Sequence, residues 1–295
     1  MPILSDNVNE GPEGFRRLMK KGFVPIYGVF NGISALLAEN AGASAIYLSG
    51  SGIAGAMGLP DLSLTTLTEV VQKTSEITAV SKLPLIVDID TGFGEVLNVE
   101  RTTRMIEQAG AAGFHIEDQV LPKKCGHLSG KILVPQRDME LKIKAAVKAR
   151  KNKNFIIIAR TDARAVEDLD GAIKRAKSYI KAGADAIFSE ALESRDEFAA
   201  FAKEVKAPLM ANMTEFGKSP LLSTKELDAI GYKMAIFPLT AFRASLLSME
   251  SIYKELVSKG TQRDFITKLM TRKSFYDLIR YDDYEAEDAE MFKSK

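Results

Sequence analysis

The chain of 295 residues has no tryptophan, a single cysteine and only two histidines. One cysteine cannot form an intrachain disulfide, which excludes a disulfide-stapled scaffold and is typical of a reducing cytoplasm. Forty basic residues against 39 acidic ones give a formal net charge of +1, so no global field favours nucleic acid or an anionic membrane. No apolar run approaches the roughly 20 residues that span a bilayer, and the polar residues 1–13 do not resemble a secretory signal. We therefore expect a soluble, cytoplasmic protein that binds neither nucleic acid nor membranes.

Short apolar runs recur along the chain, separated by segments with helical periodicity. Their density of Ile, Val and Phe predicts strands buried on both faces, as in a parallel sheet. A helix-ending phrase with glycine before the next strand repeats at 39–43, 108–112 and 181–185, as repeated βα units would produce. The predicted strands are 24–29, 45–49, 85–90, 113–117, 155–160, 186–190, 209–212 and 234–238. Eight such units predict a (β/α)8 TIM-type barrel, with a doubly wound open sheet as the alternative.

Polar side chains end these predicted strands, where barrel enzymes place their chemistry. Asp88 and Asp90 lie two residues apart, so both point to the same face, and Glu117 ends the next strand. Three carboxylates suit Mg²⁺ or Mn²⁺, and Mg²⁺ keeps several waters, so one or two direct protein ligands suffice. The alternative is that strand-end residues are helix N-caps and solvated loop residues, which fits Asp162 and Thr214 best.

Other strand ends carry groups that bind carboxylates. Arg160 offers a planar fork, and the turn at 49–51 offers hydroxyl and backbone N–H donors near a helix N-terminus. With a divalent metal, these groups predict a small di- or tricarboxylate substrate. The candidate residues for carboxylate binding are Ser49, Gly50, Ser51, Arg160, Asn212 and Thr214, and Glu190 ends the sixth strand.

The only cysteine and both histidines lie within residues 115–127. Cys125 follows two lysines, and a thiol near cationic groups on a glycine-containing loop predicts a low-pKa acid or base. Gly126 and Gly130 let this loop close over the site as a lid. The alternative is an idle surface cysteine on a basic turn. The chain has neither a Walker phosphate loop nor a GxGxxG after its first strand, so no nucleotide cofactor is predicted.

These segments resemble the isocitrate lyase and phosphoenolpyruvate mutase superfamily, and within it the members that cleave 2-methylisocitrate. The most specific element is KKCGH at 123–127, since lyases of this superfamily carry a cysteine there, whereas the mutases have asparagine or lack it. Lys124 where arginine is common, Ser51 in place of glycine, and the lid sequence at 128–131 depart from the usual pattern. The matching segments span nearly the whole chain in the family's order: 47–52, 58–61, 88–94, 98–102, 115–119, 123–127, 159–163, 211–215 and 237–244.

The resemblance implies Mg²⁺ held mainly by Asp88 and Asp90, partly through water, with Glu117 further out. It implies one domain, with a barrel core at about 15–258 and a C-terminal helical extension at about 259–295 that is swapped between subunits of a homotetramer. On sequence grounds alone, residues 261–280 could equally cap their own barrel, and the charge-rich stretch 282–295 is expected to be a solvated tail.

The implied activity is Mg²⁺-dependent retro-aldol (Claisen-type) cleavage of 2-methylisocitrate to pyruvate and succinate, a step of the methylcitrate cycle in propionate metabolism. Arg160 would stabilise the succinate fragment and Cys125 would protonate it, while His127 and Lys123 would tune Cys125 and order the lid. The base that removes the hydroxyl proton is not assigned. The resemblance gives Cys125, Arg160, His127 and Lys123 as catalytic residues, and Ser49, Gly50, Ser51, Asp61, Gly126, Arg160, Glu190, Asn212 and Thr214 as substrate-binding residues.

Several other functions use the same strand-end residues. One methyl group is worth only about 1–3 kcal/mol of discrimination, so isocitrate or 2,3-dimethylmalate are alternative substrates. The length favours methylisocitrate, because isocitrate lyases generally carry long insertions. A phosphonomutase, an oxaloacetate hydrolase and a non-catalytic metal-binding barrel are the remaining alternatives, and the loop cysteine argues against the first.

Overall fold

The computed structural model describes residues 9–128 and 130–293, and its central feature is a closed barrel of parallel strands. The strands are β1 (Val24–Val29), β2 (Ile46–Leu48), β3 (Leu85–Asp88), β4 (Gly113–Glu117), β5 (Ile156–Thr161), β6 (Ala186–Ser189), β7 (Leu209–Asn212) and β8 (Met234–Phe237). They follow one another around the barrel in chain order, and β1 pairs with β8 to close it, with Val24 opposite Met234. The predicted (β/α)8 barrel is confirmed, and the open sheet is excluded by the pairing of β1 with β8.

Helices surround the barrel. They are α1 (Gly11–Lys21), α2 (Gly32–Asn40), α3 (Gly50–Ala56), α4 (Leu67–Val80), α5 (Val96–Gln108), α6 (Gln136–Ala149), α7 (Arg164–Ala182), α8 (Arg195–Glu204) and α9 (Thr224–Ile230). Local sequence explains several of their starts. Asn31, Thr66 and Ser223 precede α2, α4 and α9, and each side chain accepts a hydrogen bond from the third helical N–H. Phe15 of α1 is fully buried and packs into the interior of the barrel.

The strands alternate between two apolar cores, and this alternation positions the site. In β5, Ile156 and Ile158 belong to the core inside the barrel, whereas Ile157 and Ala159 pack outward against the helices. Because successive side chains point to opposite faces, Arg160 continues the inward row at the C-terminal mouth. On other strands, too, a polar residue stands two positions after an inward-pointing side chain and therefore also points inward. These pairs are Tyr47 and Ser49, Ile86 and Asp88, His115 and Glu117, Phe188 and Glu190, and Met210 and Asn212.

Four strands, β2, β3, β6 and β8, end one or two residues earlier than predicted, and the ends of β2 and β3 lie at site residues. β2 stops at Leu48, so that Ser49 becomes the residue preceding α3. β3 stops at Asp88, and Asp90 adopts a positive φ of 48°, a conformation that is costly for a residue with a Cβ and that is found at functional sites.

The chain continues beyond the barrel as α10 (Thr240–Lys259), a short 3-10 helix (Arg263–Lys268), α11 (Arg272–Ile279) and α12 (Tyr281–Lys293). The 3-10 helix buries Phe265, and α11 packs against α2 of the same chain. The charge-rich stretch expected to be solvated is largely exposed, and it is helical as far as Lys293; acidic residues in the first turn of α12 favour that helix. Among residues 9–128 and 130–293, no helix is both long and apolar enough to cross a bilayer.

Candidate active site

Asp88 and Asp90 border one small space at the mouth of the barrel. The N–H of Gly50 donates to Asp88 Oδ2 at 3.1 Å, and a Cβ on Gly50 would lie 3.1 Å from Asp88 Oδ2 and 3.2 Å from Asp90 Oδ1. Both carboxylates are buried, and burial raises the pKa of Asp90 to about 6 despite the nearby Lys123 ammonium. The missing side chain of Gly50 therefore leaves a small space that any larger residue would fill. One oxygen of Asp88 and one oxygen of Asp90 face this space.

Glu117 adds a third buried carboxylate. Its two oxygens accept no hydrogen bond among the described residues, although Arg160 Nε lies 3.3 Å from Oε2. Burial raises the pKa of Glu117 well above its usual range. A buried carboxylate that lacks hydrogen bonds is costly without a cation, and an all-oxygen donor set suits a hard divalent cation.

The three predicted ligands do not form a direct three-ligand cluster. In residues 9–128 and 130–293, no three or more His, Cys, Asp or Glu side chains lie close enough together to hold a metal ion. The donor set therefore fits an ion held by one or two carboxylates and by water, which is the usual arrangement for Mg²⁺.

Tyr47 and His115 support Asp88 from inside the barrel. The Tyr47 hydroxyl lies 2.7 Å from His115 Nε2 and 3.4 Å from Asp88 Oδ2. Burial lowers the pKa of His115 to about 4, so the ring is neutral at pH 7. If His115 Nε2–H donates to the tyrosine oxygen, the tyrosine O–H is free to donate to Asp88. This order leaves Nδ1 as a buried acceptor that has no hydrogen-bond partner within the described part of the chain.

Arg160, on the strand next to Glu117, is held by carboxylates. Its Nε and Nη2 donate to Asp162 at 2.9 and 3.2 Å, and Nη2 lies 3.8 Å from Glu190 Oε1. Its guanidinium stands over the ring of Phe188 at 5.1 Å from the centroid. These contacts fix the plane of a buried cation, which is the property required of a group that binds a substrate carboxylate.

Glu190 connects Arg160 to the lid. His127 Nε2 lies 3.1 Å from Glu190 Oε1, and Asn212 Nδ2 donates to both carboxylate oxygens at 3.3 Å. The N–H of Lys218 donates to His127 Nδ1 at 2.9 Å, which leaves Nε2 to donate to Glu190. Burial opposes ionisation of Glu190, but Arg160 and His127 hold its pKa well below its usual range.

The lid is the segment 119–133, whose ends are joined by an antiparallel bridge between Gln119 and Leu133. Residue 129, part of the departure at 128–131, lies outside the described residues. At the tip, Gly126 is packed so closely that a Cβ would lie 2.3 Å from Glu190 Oε1 and 2.5 Å from Arg160 Nη2. The lid is therefore closed onto the Arg160 side of the site.

Lys123 forms ion pairs with carboxylates at the predicted metal site and does not act on the Cys125 thiol. Its buried ammonium lies 2.5 Å from Asp61 Oδ1 and 3.0 Å from Asp90 Oδ1. Asp61, predicted to bind substrate, is therefore used in an ion pair with the lid. These carboxylates, with Glu117 and Asp88, raise the pKa of Lys123 well above its usual range although burial opposes this.

The prediction of a low thiol pKa for Cys125 is wrong. Burial raises the pKa of this half-buried thiol above its usual value, although the backbone N–H of His127 works in the opposite direction. The two adjacent lysines do not lower it, because the Lys123 ammonium turns to Asp61 and Asp90 and Lys124 is exposed. A thiol that keeps its proton at neutral pH suits a general acid and not a nucleophile.

The turn at the end of β2 differs in detail from the prediction. The N–H of Gly50 is used by Asp88 and is not a free donor for a substrate. Ser49 is buried, with a hydroxyl that makes no capping bond, while Ser51 is only half-buried. Thr214, also buried, donates its N–H to Asn212 Oδ1 and orients that amide.

Sequence reasoning missed several buried residues that support the site. Asp162 is not a helix cap but a fully buried partner of Arg160 and of Lys131 Nζ, at 3.0 Å. Tyr47 and His115 could have been found from strand parity, because each precedes a predicted inward site residue by two positions. Lys131 gave no such signal, since its long side chain reaches its partners only after the lid has folded.

Comparisons with known proteins cover the barrel and this site. A family model for phosphoenolpyruvate phosphomutase matches residues 15–257. A 2-methylisocitrate lyase of Aeropyrum pernix is 56% identical over 272 residues, which are 92% of this chain and 88% of the relative. The crystal structure of a 2,3-dimethylmalate lyase, a member of the PEP mutase/isocitrate lyase superfamily, has a TM-score of 0.90 at 33% identity and covers 95% of each chain. A phosphonopyruvate hydrolase crystallised with oxalate and Mg²⁺ has a TM-score of 0.86 at 28% identity, with 94% and 98% coverage.

Proposed function

This chain belongs to the phosphoenolpyruvate phosphomutase family, and we propose that it is a carbon–carbon lyase that cleaves 2-methylisocitrate to pyruvate and succinate. The observation that carries the proposal is the lid tip: Gly126 packs directly against Arg160 and Glu190, and the charges of both side chains act on the neighbouring Cys125 thiol. A protonated thiol beside a carboxylate-binding arginine is what protonation of a succinate-like carbanion requires. The similarity to a 2-methylisocitrate lyase supports the same substrate.

Mg²⁺, which Mn²⁺ could replace, would be held by Asp88 and Asp90, with Glu117 acting through water. The chemistry that the ion would supply there is a lower pKa for the substrate hydroxyl and stabilisation of the carbonyl formed on pyruvate. The unsatisfied oxygens of Glu117 and the space beside Gly50 support this assignment. Tyr47 and His115 would orient the Asp88 carboxylate through their hydrogen bonds.

The remaining residues act on the succinate half. Arg160, whose plane is fixed by Asp162, would bind its carboxylates and stabilise the negative charge that develops when the C–C bond breaks. Cys125 Sγ–H would then give its proton to the carbon that carried the broken bond, so one proton leaves the substrate hydroxyl and one returns at carbon. Asn212, oriented by Glu190 and Thr214, would bind the remaining carboxylate.

The test is to measure pyruvate release from 2-methylisocitrate with Mg²⁺ beside glyoxylate release from isocitrate. We expect pyruvate release to dominate kcat/KM by about tenfold or more, equivalent to about 1.4 kcal/mol. Equal rates would indicate a dual-substrate lyase. No product from either substrate would refute the proposal and favour the mutase, hydrolase or dimethylmalate alternatives.

The acid role is tested separately with Cys125→Ser, because a serine hydroxyl is a far weaker acid than a thiol. We expect turnover to fall by about 10²-fold or more while Mg²⁺ binding, followed by calorimetry, is unchanged. Near-normal turnover would refute the role of Cys125 without refuting the substrate.

We further propose that the C-terminal helices mediate self-association, as a homotetramer with exchanged helices. In α10 no residue is buried, and apolar side chains stand in solvent, with Leu247 69% and Val257 88% exposed. Apolar surface of this kind marks an interaction site. Light scattering coupled to size-exclusion chromatography tests this proposal. We expect the wild type to be a tetramer and the double variant Leu247→Glu/Val257→Glu to dissociate. A monomeric wild type would refute it.

A further inference from the structure

Lys131 is a buried lysine at the base of the lid that no step of the proposed reaction uses. Its side chain is 1% exposed and its ammonium lies 3.0 Å from Asp162 Oδ1, which is itself fully buried. The same ammonium donates to the backbone carbonyl of Gly126, five residues earlier at the tip of the lid. A buried ammonium is retained only where its donors are satisfied, and these two acceptors lie on different parts of the molecule.

The two acceptors differ in how firmly they are held. Asp162 is part of the barrel wall, because its N–H donates to Asp118 Oδ1 at 2.9 Å and Asp118 in turn accepts from the Tyr179 hydroxyl at 2.7 Å. Gly126 lies on the lid tip beside Cys125. The Lys131 ammonium therefore joins a fixed point of the barrel to the backbone that carries the thiol.

Asp162 is also shared between two cations. Its Oδ1 accepts from Lys131 Nζ and from Arg160 Nη2, while Oδ2 accepts from Arg160 Nε. One carboxylate thus orients the arginine and, through Lys131, the lid tip. The closed lid and the orientation of Arg160 depend on the same carboxylate.

The lid cannot stay closed throughout a catalytic cycle. The distances at the tip leave no room for even one methyl group between Gly126 and Glu190 or Arg160. A tricarboxylate that binds Arg160 must therefore enter and leave while the tip is withdrawn. When the tip withdraws, the Gly126 carbonyl separates from Lys131, whereas Asp162 stays in the barrel.

We propose that Lys131 is the latch of the lid: its ammonium, anchored on Asp162, captures the Gly126 carbonyl and so holds Cys125 in the closed position. It is a positioning residue, since it acts through the backbone of the lid and through Asp162. Its expected consequence for turnover rests on the proposed lyase function, but its consequence for the exposure of the thiol does not.

The test uses Cys125 as its own reporter, because it is the only cysteine in the chain. The rate of alkylation by iodoacetamide would be measured on the full-length protein for wild type, Lys131→Met, Lys131→Gln and Lys131→Arg. Losing a charge-assisted hydrogen bond that exists only in the closed state should raise the open population, and the alkylation rate, by about tenfold. We expect this increase in the Met and Gln variants and rescue towards wild type in the Arg variant, which keeps a cationic donor.

Lys142 supplies the matched control. It is also a buried lysine that donates to a backbone carbonyl, that of Thr91 at 3.2 Å, but it lies on α6 and not on the lid. Lys142→Met should leave the alkylation rate near that of wild type. An unchanged rate in both Lys131→Met and Lys131→Gln, or an equal increase in Lys142→Met, would overturn the latch.

Kinetics give a second readout. Lid closure precedes bond cleavage, so Lys131→Met should lower kcat by about tenfold with a smaller change in KM, and Lys131→Arg should restore kcat. Faster alkylation with unchanged kcat would overturn the link to turnover. Absence of lyase activity in the wild type, with the alkylation pattern intact, would refute the proposed function and leave the latch standing.

Discussion

Replacing Gly126 with alanine tests whether the closed lid is the catalytic state. The glycine is not in the left-handed region of backbone space, so alanine brings no backbone strain and its only cost is the added methyl. That methyl would lie 2.3 Å from Glu190 Oε1, 2.4 Å from Glu190 Cγ and 2.5 Å from Arg160 Nη2. Ordinary contacts are about 1 Å longer than these distances.

The neighbours cannot easily move aside. Arg160 is fixed by two hydrogen bonds to Asp162, and Glu190 is held by His127 and by Asn212. The lid tip must therefore retreat by about 1 Å, a displacement that can cost about 10²-fold in rate when it moves a catalytic group. Overpacking of about 1–3 kcal/mol in the closed state gives a similar range, about 5-fold to 150-fold. Stability should change little, because the open lid relieves the clash.

The assay compares kcat/KM and thermal unfolding for Gly126→Ala with those of wild type. Gly22→Ala is the matched control, since a Cβ there meets nothing within 4 Å. We expect a loss of about 10²-fold in kcat/KM with a change in Tm of no more than about 2 °C, and no effect of the control. Activity within about threefold of wild type would refute the argument that the closed lid seen here is the reacting state.

Three further perturbations follow from the site. Because burial raises the pKa of the Cys125 thiol, its alkylation rate should keep rising with pH beyond about 8.5, the pKa of a free cysteine, and a plateau below about pH 8.5 would contradict this. Because the pKa of His115 is about 4 folded against 6.5 unfolded, the unfolded chain binds the extra proton between these values, and stability should fall by up to about 3 kcal/mol as pH drops through that window. In His115→Gln, the free energy of unfolding measured with urea should depend less steeply on pH than in wild type. An unchanged pH dependence would show that another group causes the effect. Mg²⁺ should raise Tm in wild type, since a ligand at 100 times its Kd adds about 2.7 kcal/mol, and Asp88→Asn should lose this increase; equal increases in both proteins would exclude Asp88 as a ligand.

The strands and the rows of site residues could be predicted because both are local properties. The apolar runs that become β3 to β7 are bounded by glycine or charge, and alternation with a period of two assigns each residue to a face. Once Ile156 and Ile158 point inward, Arg160 must do so as well. The candidate positions Asp88, Glu117 and Glu190 follow by the same parity.

The C-terminal region was predicted in part. The charge-rich stretch 282–295 was expected to be a solvated tail, and its described residues are largely exposed, but they form α12 as far as Lys293. Charge alone does not exclude a helix when acidic residues stand at its start and a lysine at its end.

The sequence by itself determined the barrel, the inward row of polar residues at its mouth and the glycine-flanked cysteine loop, because strand and turn preferences act over a few residues. Only the tertiary structure decided the partners of the charged groups. Lys123 meets Asp61 from 62 residues away, Lys131 meets Asp162 from 31 residues away, and the Cys125 thiol has a raised pKa where its neighbours in sequence indicated a low one. Electrostatic energy depends on distance through space and on burial, and a linear pattern specifies neither until the chain has closed into a barrel.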